Sequence, residues 1–267
     1  MQYHHMEKFT CNMCGDCCRN LRGKVNTNIF KEIPESKLGP LFGTSLSELT
    51  LPIFDWEKRR LEKRARKLKI EVKFKPLSFV FDVTRQKVIV LCWNLDHNDC
   101  PFLKANKCEI YDHRPLICKS YPLLDTGVLP RQVVLPLGEC SAVTNDMQNK
   151  FIGHEDRQTY FKKLYDIFDK NYLMDALRLD FANFFIGEIF KQLQRCDSKL
   201  LTFSSEPSKQ EMDKIYKHFK EVSLLEFLIE NGIITQEYVS MNINSINSDE
   251  RASEAIDMII NKDVGKL

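Results

Sequence analysis

The stretch FTCNMCGDCCRN, residues 9–20, places thiols at Cys11, Cys14, Cys17 and Cys18. Two residues between successive thiols let a short turn wrap one metal centre, and Gly15 permits a backbone conformation that such a turn can require. Thiolate is a soft ligand suited to zinc, copper(I) and iron–sulfur clusters. The chain holds ten cysteines in 267 residues. The segment MQYHHMEKF has no apolar signal core, so the chain reads as cytoplasmic, where thiols stay reduced and a disulfide scaffold is the weaker expectation. A bridge between the adjacent Cys17 and Cys18 would also strain the backbone.

A second, dispersed set follows at Cys100, Cys108, Cys118 and Cys140. The gaps between Cys100, Cys108 and Cys118 are too long for a zinc-ribbon knuckle and suit ligands gathered by the fold. Cys11, Cys14 and Cys17 have the spacing of a bacterial ferredoxin run, and Cys100-Pro101 supplies a Cys-Pro. Zinc accepts four thiolates equally well. Eight thiols could hold two centres, or four could hold one while the rest pack nearby. In an extended backbone Cys17 and Cys18 would point opposite ways, which favours different centres or one non-ligand.

Together the residues resemble a known family, the CxxCxxCC cysteine-cluster family, described as zinc- or iron-chelating. The likeness rests on Cys11, Cys14, Cys17 and Cys18, then Cys100-Pro101-Phe102-Leu103, Cys108-Glu109-Ile110-Tyr111, Arg114-Pro115 and Cys118. It covers roughly residues 9–140. Lys119 stands where the family usually has Arg, which keeps the charge but loses the bidentate fork. The resemblance implies a metal centre and no settled reaction. Some relatives are linked to lysine N-methylation of flagellin, so a protein-modifying role on a protein substrate is what the resemblance implies beyond metal.

Arg19, Arg114 and Lys119 lie close in sequence to thiols, where positive charge would offset thiolate charge. Arg114 reads equally well as an ordinary salt-bridge residue. His97 and His113 are near enough to join a mixed site, yet eight thiols already suffice for two tetrahedral ions, so they read as loop histidines. Cys92 follows a strand and reads as a core thiol, and the isolated Cys196 as structural. No phosphate loop, dinucleotide fingerprint, Cys-x3-Cys-x2-Cys run or seven-stranded methyltransferase pattern is present. The catalytic residues are therefore not assignable from the sequence.

Net charge is only +2, but residues 57–75 hold ten Lys and Arg against three Glu. Arg59, Arg60, Lys63, Arg64 and Lys67 are the candidates there for binding nucleic acid or an acidic partner. The alternative is a solvated helix face with i,i+4 pairs such as Glu62–Arg66. No recognition motif accompanies the segment, so sequence-specific reading of nucleic acid is not supported. No apolar run approaches the roughly 18 residues that span a bilayer, and no membrane role is expected.

Local patterning predicts an α+β fold. Ser45 with Glu48 offers a short capped helix. The basic segment reads as a helix with Trp56, Leu61, Ala65 and Leu68 as its apolar stripe. LSFVFDVTRQKVIVLCW reads as a hairpin, and RQVVLP as a further strand. The later half reads as helices with stripes at Phe161, Leu164, Tyr165, Phe168 and Tyr172; Phe181, Phe184, Phe185, Ile189 and Leu193; Met212, Ile215, Tyr216 and Phe219; and Ala252, Ala255, Ile256 and Ile259. Ser223 with Glu226 caps another, and Gly232 should stop it. These stripes read as core packing, not as a ligand cavity. The composition shift at residues 144–153 suggests a cysteine-cluster metal-binding domain at 1–145 and a helical domain at 146–267.

The function expected from this pattern is a cysteine-ligated metal protein, with an iron–sulfur cluster (4Fe-4S) favoured over zinc, in a redox or protein-modifying role. The alternative is a zinc-stabilised module that binds nucleic acid or protein through residues 57–75.

Overall fold

The computed structural model describes residues 8–19, 21, 52–123, 140–144, 147, 157–195, 200–201, 210, 214 and 217–261. It is an α+β fold. The expected short helix at Ser45 and the strand RQVVLP lie outside these residues, as does Cys196; of the stripe beginning at Met212, little besides Phe219 lies inside them.

Helix α1 (Asp55–Leu68) forms where the basic segment predicts it. Asp55 and Glu57 in its first turn and Arg66 and Lys67 in its last complement the helix dipole. It stops at Lys69, which turns left-handed and donates its amide back to Ala65 and Arg66. The predicted hairpin follows as β1 (Phe74–Asp82) and β2 (Lys87–Leu95), paired antiparallel from Phe74↔Leu95 to Asp82↔Lys87. The register shifts around Ser78, two residues after Pro76, which has no amide to give the ladder.

Two short pieces enlarge the hairpin to a four-stranded sheet. They are β5 (Leu200–Leu201), antiparallel to β1, and β6 (Lys220–Ser223), parallel to β2. A second, two-stranded ladder joins β3 (Leu103–Lys104) to β4 (Lys107–Cys108), closed by Ala105 and Asn106 in the left-handed region. Helix α2 (Leu116–Ser120) is a short helix packed on α4 (Lys170–Arg195). Helices α3 (Arg157–Ile167), α5 (Leu224–Glu230), α6 (Gln236–Ile246) and α7 (Asp249–Ile260) complete the order.

At 26 residues, α4 runs about 39 Å. It is buried at Leu173, Leu177, Phe181, Phe185, Ile189 and Leu193, so the aromatic stripe is core, while Phe184 faces outward. The Ser223 cap is present: its Oγ accepts the Glu226 amide at 3.2 Å, and Gly232 is left-handed just beyond the helix.

Strand β2 is buried on both faces, so it carries a continuous apolar run in place of strict alternation. Ile89 and Leu91 face one core, built with α2 through α7; Val88, Val90, Trp93 and Leu95 face a second, built with Leu61 and Ala65 of α1 and with Phe102 and Ile110. The first core draws on Phe9, Phe54 and Leu116 as well as Phe161, Leu177, Leu228 and Ile256, and so unites residues from both sides of position 145.

Candidate metal centre

The thiols lie along the seam between the two cores. Cys11, Cys118 and Cys140 pack on the helical core, Cys100 and Cys108 on the other. Cys17 and Cys18 sit in a single 3-10 turn (Asp16–Cys18).

That turn is built from its glycine. Gly15 is left-handed (φ 79°), and its carbonyl accepts the Cys18 amide at 2.9 Å. A Cβ on Gly15 would stand 3.1 Å from Leu103 Cδ1, so the loop approaches β3 closely. The Cys100 amide donates to the Cys18 carbonyl at 2.7 Å, and the Leu21 amide to Asn98 at 2.6 Å. Arg19 bonds the Asn106 side chain on the β3–β4 turn. On the other side, the Phe9 amide donates to Ile167 at the end of α3 at 2.8 Å, and the Phe9 ring packs 5.0 Å from Phe168. The distant halves of the cysteine pattern are thus joined by backbone, not by the thiols alone.

The nine described cysteines are all free thiols. Cys17 and Cys18 do not diverge: their sulfurs are 4.0 Å apart. The expectation of opposite directions assumed an extended chain, whereas the 3-10 turn swings both side chains to one side. Cys18 in turn bonds Cys100, the largest influence on its thiol, and is pushed up to about 12. Its bond to Cys18, then burial, raise Cys17 far above the usual thiol range. Burial, followed by the charges of Cys18 and Cys17, raises Cys118. Burial raises Cys108, to which Cys17 adds. Cys140 is raised by burial and then by Cys11, Cys14 and Cys17. Electrostatic influence thus links Cys17 to Cys18, Cys108 and Cys118, Cys18 to Cys100, and Cys140 to Cys11, Cys14 and Cys17.

The raised thiols of Cys17, Cys18, Cys108, Cys118 and Cys140 are costly to ionise and gain from a cation that binds sulfur. The donor chemistry fits zinc or an iron–sulfur cluster. Among the described residues no group of three or more His, Cys, Asp or Glu side chains is placed to hold a metal ion.

Of the three cations expected beside the thiols, Arg114 is the one most closely placed. Its Nε donates to the Tyr111 carbonyl at 3.0 Å and its Nη1 to the Cys118 carbonyl at 3.3 Å, and its guanidinium lies 3.8 Å from the Tyr111 ring centre. Its charge favours the thiolates of Cys17, Cys108 and Cys118. Arg19 is more exposed and lies 3.8 Å from Asp16. The charge of Lys119 is felt at Glu57. His97 Nε2 accepts the Lys73 amide at 2.8 Å and His113 Nε2 meets Arg64, in keeping with loop histidines. Cys92 is a core thiol, pushed up to about 12 by burial.

Three further residues bear on the centre. Glu57, fully buried in α1, accepts the Leu116 amide at 2.7 Å and so holds the start of the helix that carries Cys118. Ser141 Oγ lies 3.7 Å from Cys14 Sγ and 3.5 Å from Asp16. Partial burial, then the charge of Cys11, pushes the Tyr172 hydroxyl up to about 12. Only Glu57 left a trace in the sequence, as an acid inside a run of cations. Arg59, grouped above with the basic candidates, turns away from them and pairs with Asp55 at 2.9 Å and Glu226 at 4.0 Å.

Residues 10–132 match the family model CxxCxxCC, described as "Putative zinc- or iron-chelating domain". The match ends before Cys140. No curated protein and no solved structure matches the chain. Among the described residues no helix is long and apolar enough to cross a membrane. That match over residues 10–132 supports metal binding through cysteine.

Proposed function

We propose that the seam holds an iron–sulfur cluster of the 4Fe-4S type, ligated from the pool Cys11, Cys14, Cys17, Cys18, Cys100, Cys108, Cys118 and Cys140, and that the protein acts in a redox or protein-modifying reaction. The observation that supports this reading is the influence of Cys17 and Cys18 on Cys118 and of Cys11, Cys14 and Cys17 on Cys140, a wider donor set than one tetrahedral ion needs. When bound, such a cluster supplies one-electron exchange. The chain's residues do the rest. Arg114 offsets thiolate charge, the two cores exclude water from the inner thiols, and the Gly15 turn orients the outer ones. A protein substrate is the class in keeping with the half-exposed rim at Tyr111. The test is anaerobic purification followed by iron, sulfide and zinc analysis and a visible spectrum. A brown protein with iron and sulfide in equal amount is expected; zinc without iron or sulfide overturns the reading.

A zinc-stabilised binding module is the second reading. The 4.0 Å between the Cys17 and Cys18 sulfurs favours it, because two thiolates on one zinc at 2.3 Å are separated by about 3.8 Å. That protein would be colourless, and its affinity for a polyanion would fall with salt.

A further inference from the structure

We infer that one face of α1, together with the rim of the cysteine centre, is a docking surface for a protein with an acidic face. The inference rests on the metal-centre reading only for what the partner would approach.

Arg60, Lys63, Arg64 and Lys67 stand at i, i+3, i+4 and i+7 of α1, so they form one stripe about 10 Å long. The helix also carries Asp55, Glu57 and Glu62, yet none of these neutralises the stripe's far end. Asp55 pairs with Arg59 and Glu62 with Lys58. Glu57 is buried beneath Arg60. Lys63 and Lys67 are exposed, and no described carboxylate pairs with them.

The near end of the stripe is fixed to the centre. Arg60 Nη2 donates to the Arg114 carbonyl at 3.2 Å, and Arg114 Nη1 donates to the Cys118 carbonyl. Arg64 meets His113 in the same turn. The stripe therefore begins two hydrogen bonds from Cys118. Beside it Tyr111 is 41% exposed and lies against the Arg114 guanidinium, so an aromatic side chain stands among the cations. Cations of one sign around an exposed aromatic suit an acidic protein surface. A nucleic acid is the poorer occupant. One face of Tyr111 is covered by Arg114, and Trp56, four residues before Arg60 on α1, is stacked on Phe54 at 4.8 Å. No stacking platform runs beside the cations among the described residues.

The test uses the full-length, metal-loaded protein as purified, with a 20-residue polyglutamate peptide as the acidic probe and a mixed-sequence DNA duplex as the competitor class. Polyglutamate should bind more tightly than DNA, with affinity that falls as salt rises. Carbodiimide coupling should join its carboxylates to Lys63 and Lys67. The double substitution Lys63→Glu with Lys67→Glu should weaken binding by about tenfold or more, and Lys63→Gln with Lys67→Gln by less. Cross-links scattered over remote lysines such as Lys170 and Lys191, binding unchanged in both variants, or DNA bound more tightly through the same lysines would each overturn the inference. Metal analysis of the same preparation is read separately. A zinc protein that still couples at Lys63 and Lys67 overturns the cluster and leaves the docking surface standing. An iron–sulfur protein that ignores the peptide overturns the surface alone.

Discussion

The Glu57 carboxylate accepts the backbone amide of Leu116 at 2.7 Å, across 59 positions of sequence. The same side chain accepts the Phe54 amide at 3.3 Å and lies 3.5 Å from Arg60. One buried acid thus fixes α1 to the helix that carries Cys118. Replacing it with Ala strands two buried amides, which costs about 2–3 kcal/mol. Glu57→Ala should therefore lower the urea midpoint and release metal at a lower chelator concentration, and Glu57→Gln, which keeps an acceptor, should lose less on both measures. Equal losses in the two variants would show that bulk alone matters there.

Burial pushes the Glu57 carboxyl above its ordinary 4.5, and the Leu116 amide, Arg60 and the Phe54 amide only partly offset it. The folded protein then holds this proton at a pH where the unfolded chain has released it. The contribution to stability is complete below 4.5 and is lost as pH rises through the raised folded value. The stability of the natural protein relative to Glu57→Gln should therefore fall with rising pH across that window and level off above it. Urea unfolding of both proteins at equal metal content and several pH values measures the difference; a rise in place of a fall contradicts the direction.

Gly15 is held at φ 79° beside Leu103. Substitution by Ala forces an L side chain into the left-handed region, at a cost of about 1 kcal/mol or more. Because the strain falls on the turn that presents Cys17 and Cys18, Gly15→Ala should reduce the metal retained through gel filtration more than it lowers the melting temperature. Full retention would show that the turn is not needed for ligation.

Cys18 and Cys92 offer a matched pair of thiols. Cys18 bonds Cys100 and adjoins Cys17, whereas Cys92 lies buried in β2. Cys18→Ser should lower the metal bound per chain, while Cys92→Ser should leave it unchanged and lower stability, because it buries a hydroxyl in a core. Metal analysis with thermal melts on both variants separates the roles. Unchanged metal in Cys18→Ser would remove Cys18 from the ligand pool.

The helices and the hairpin were legible because their signal is local. Leu61 and Ala65 mark the buried face of α1, and Phe181, Phe185 and Ile189 mark that of α4. Strand β6 was not: KEVS is short and half-charged, and only the free edge of β2 makes it a strand. At the centre, residue type revealed the thiols, because few other roles call for so many. Their arrangement was hidden, since the Cys17–Cys18 direction depends on a turn and the meeting with Cys100 on a long-range amide bond. Arg59 shows the same limit. Its place in the cationic run is plain, but its partner Glu226 lies 167 positions away.

Cys140 keeps company with Cys11 and Cys14, and α2 rests on α4, which ends at Arg195. Synthesis imposes an order on such a site. At translation rates of about 5–20 residues per second, the first thiols wait roughly 6–24 s for Cys140 to be made, and longer for the helix that backs Cys118. During that wait four closely spaced thiols stand open to any soft metal or oxidant in the cell. A centre that draws on Cys140 is complete only late in synthesis, and until then the early thiols are the ones exposed to oxidation.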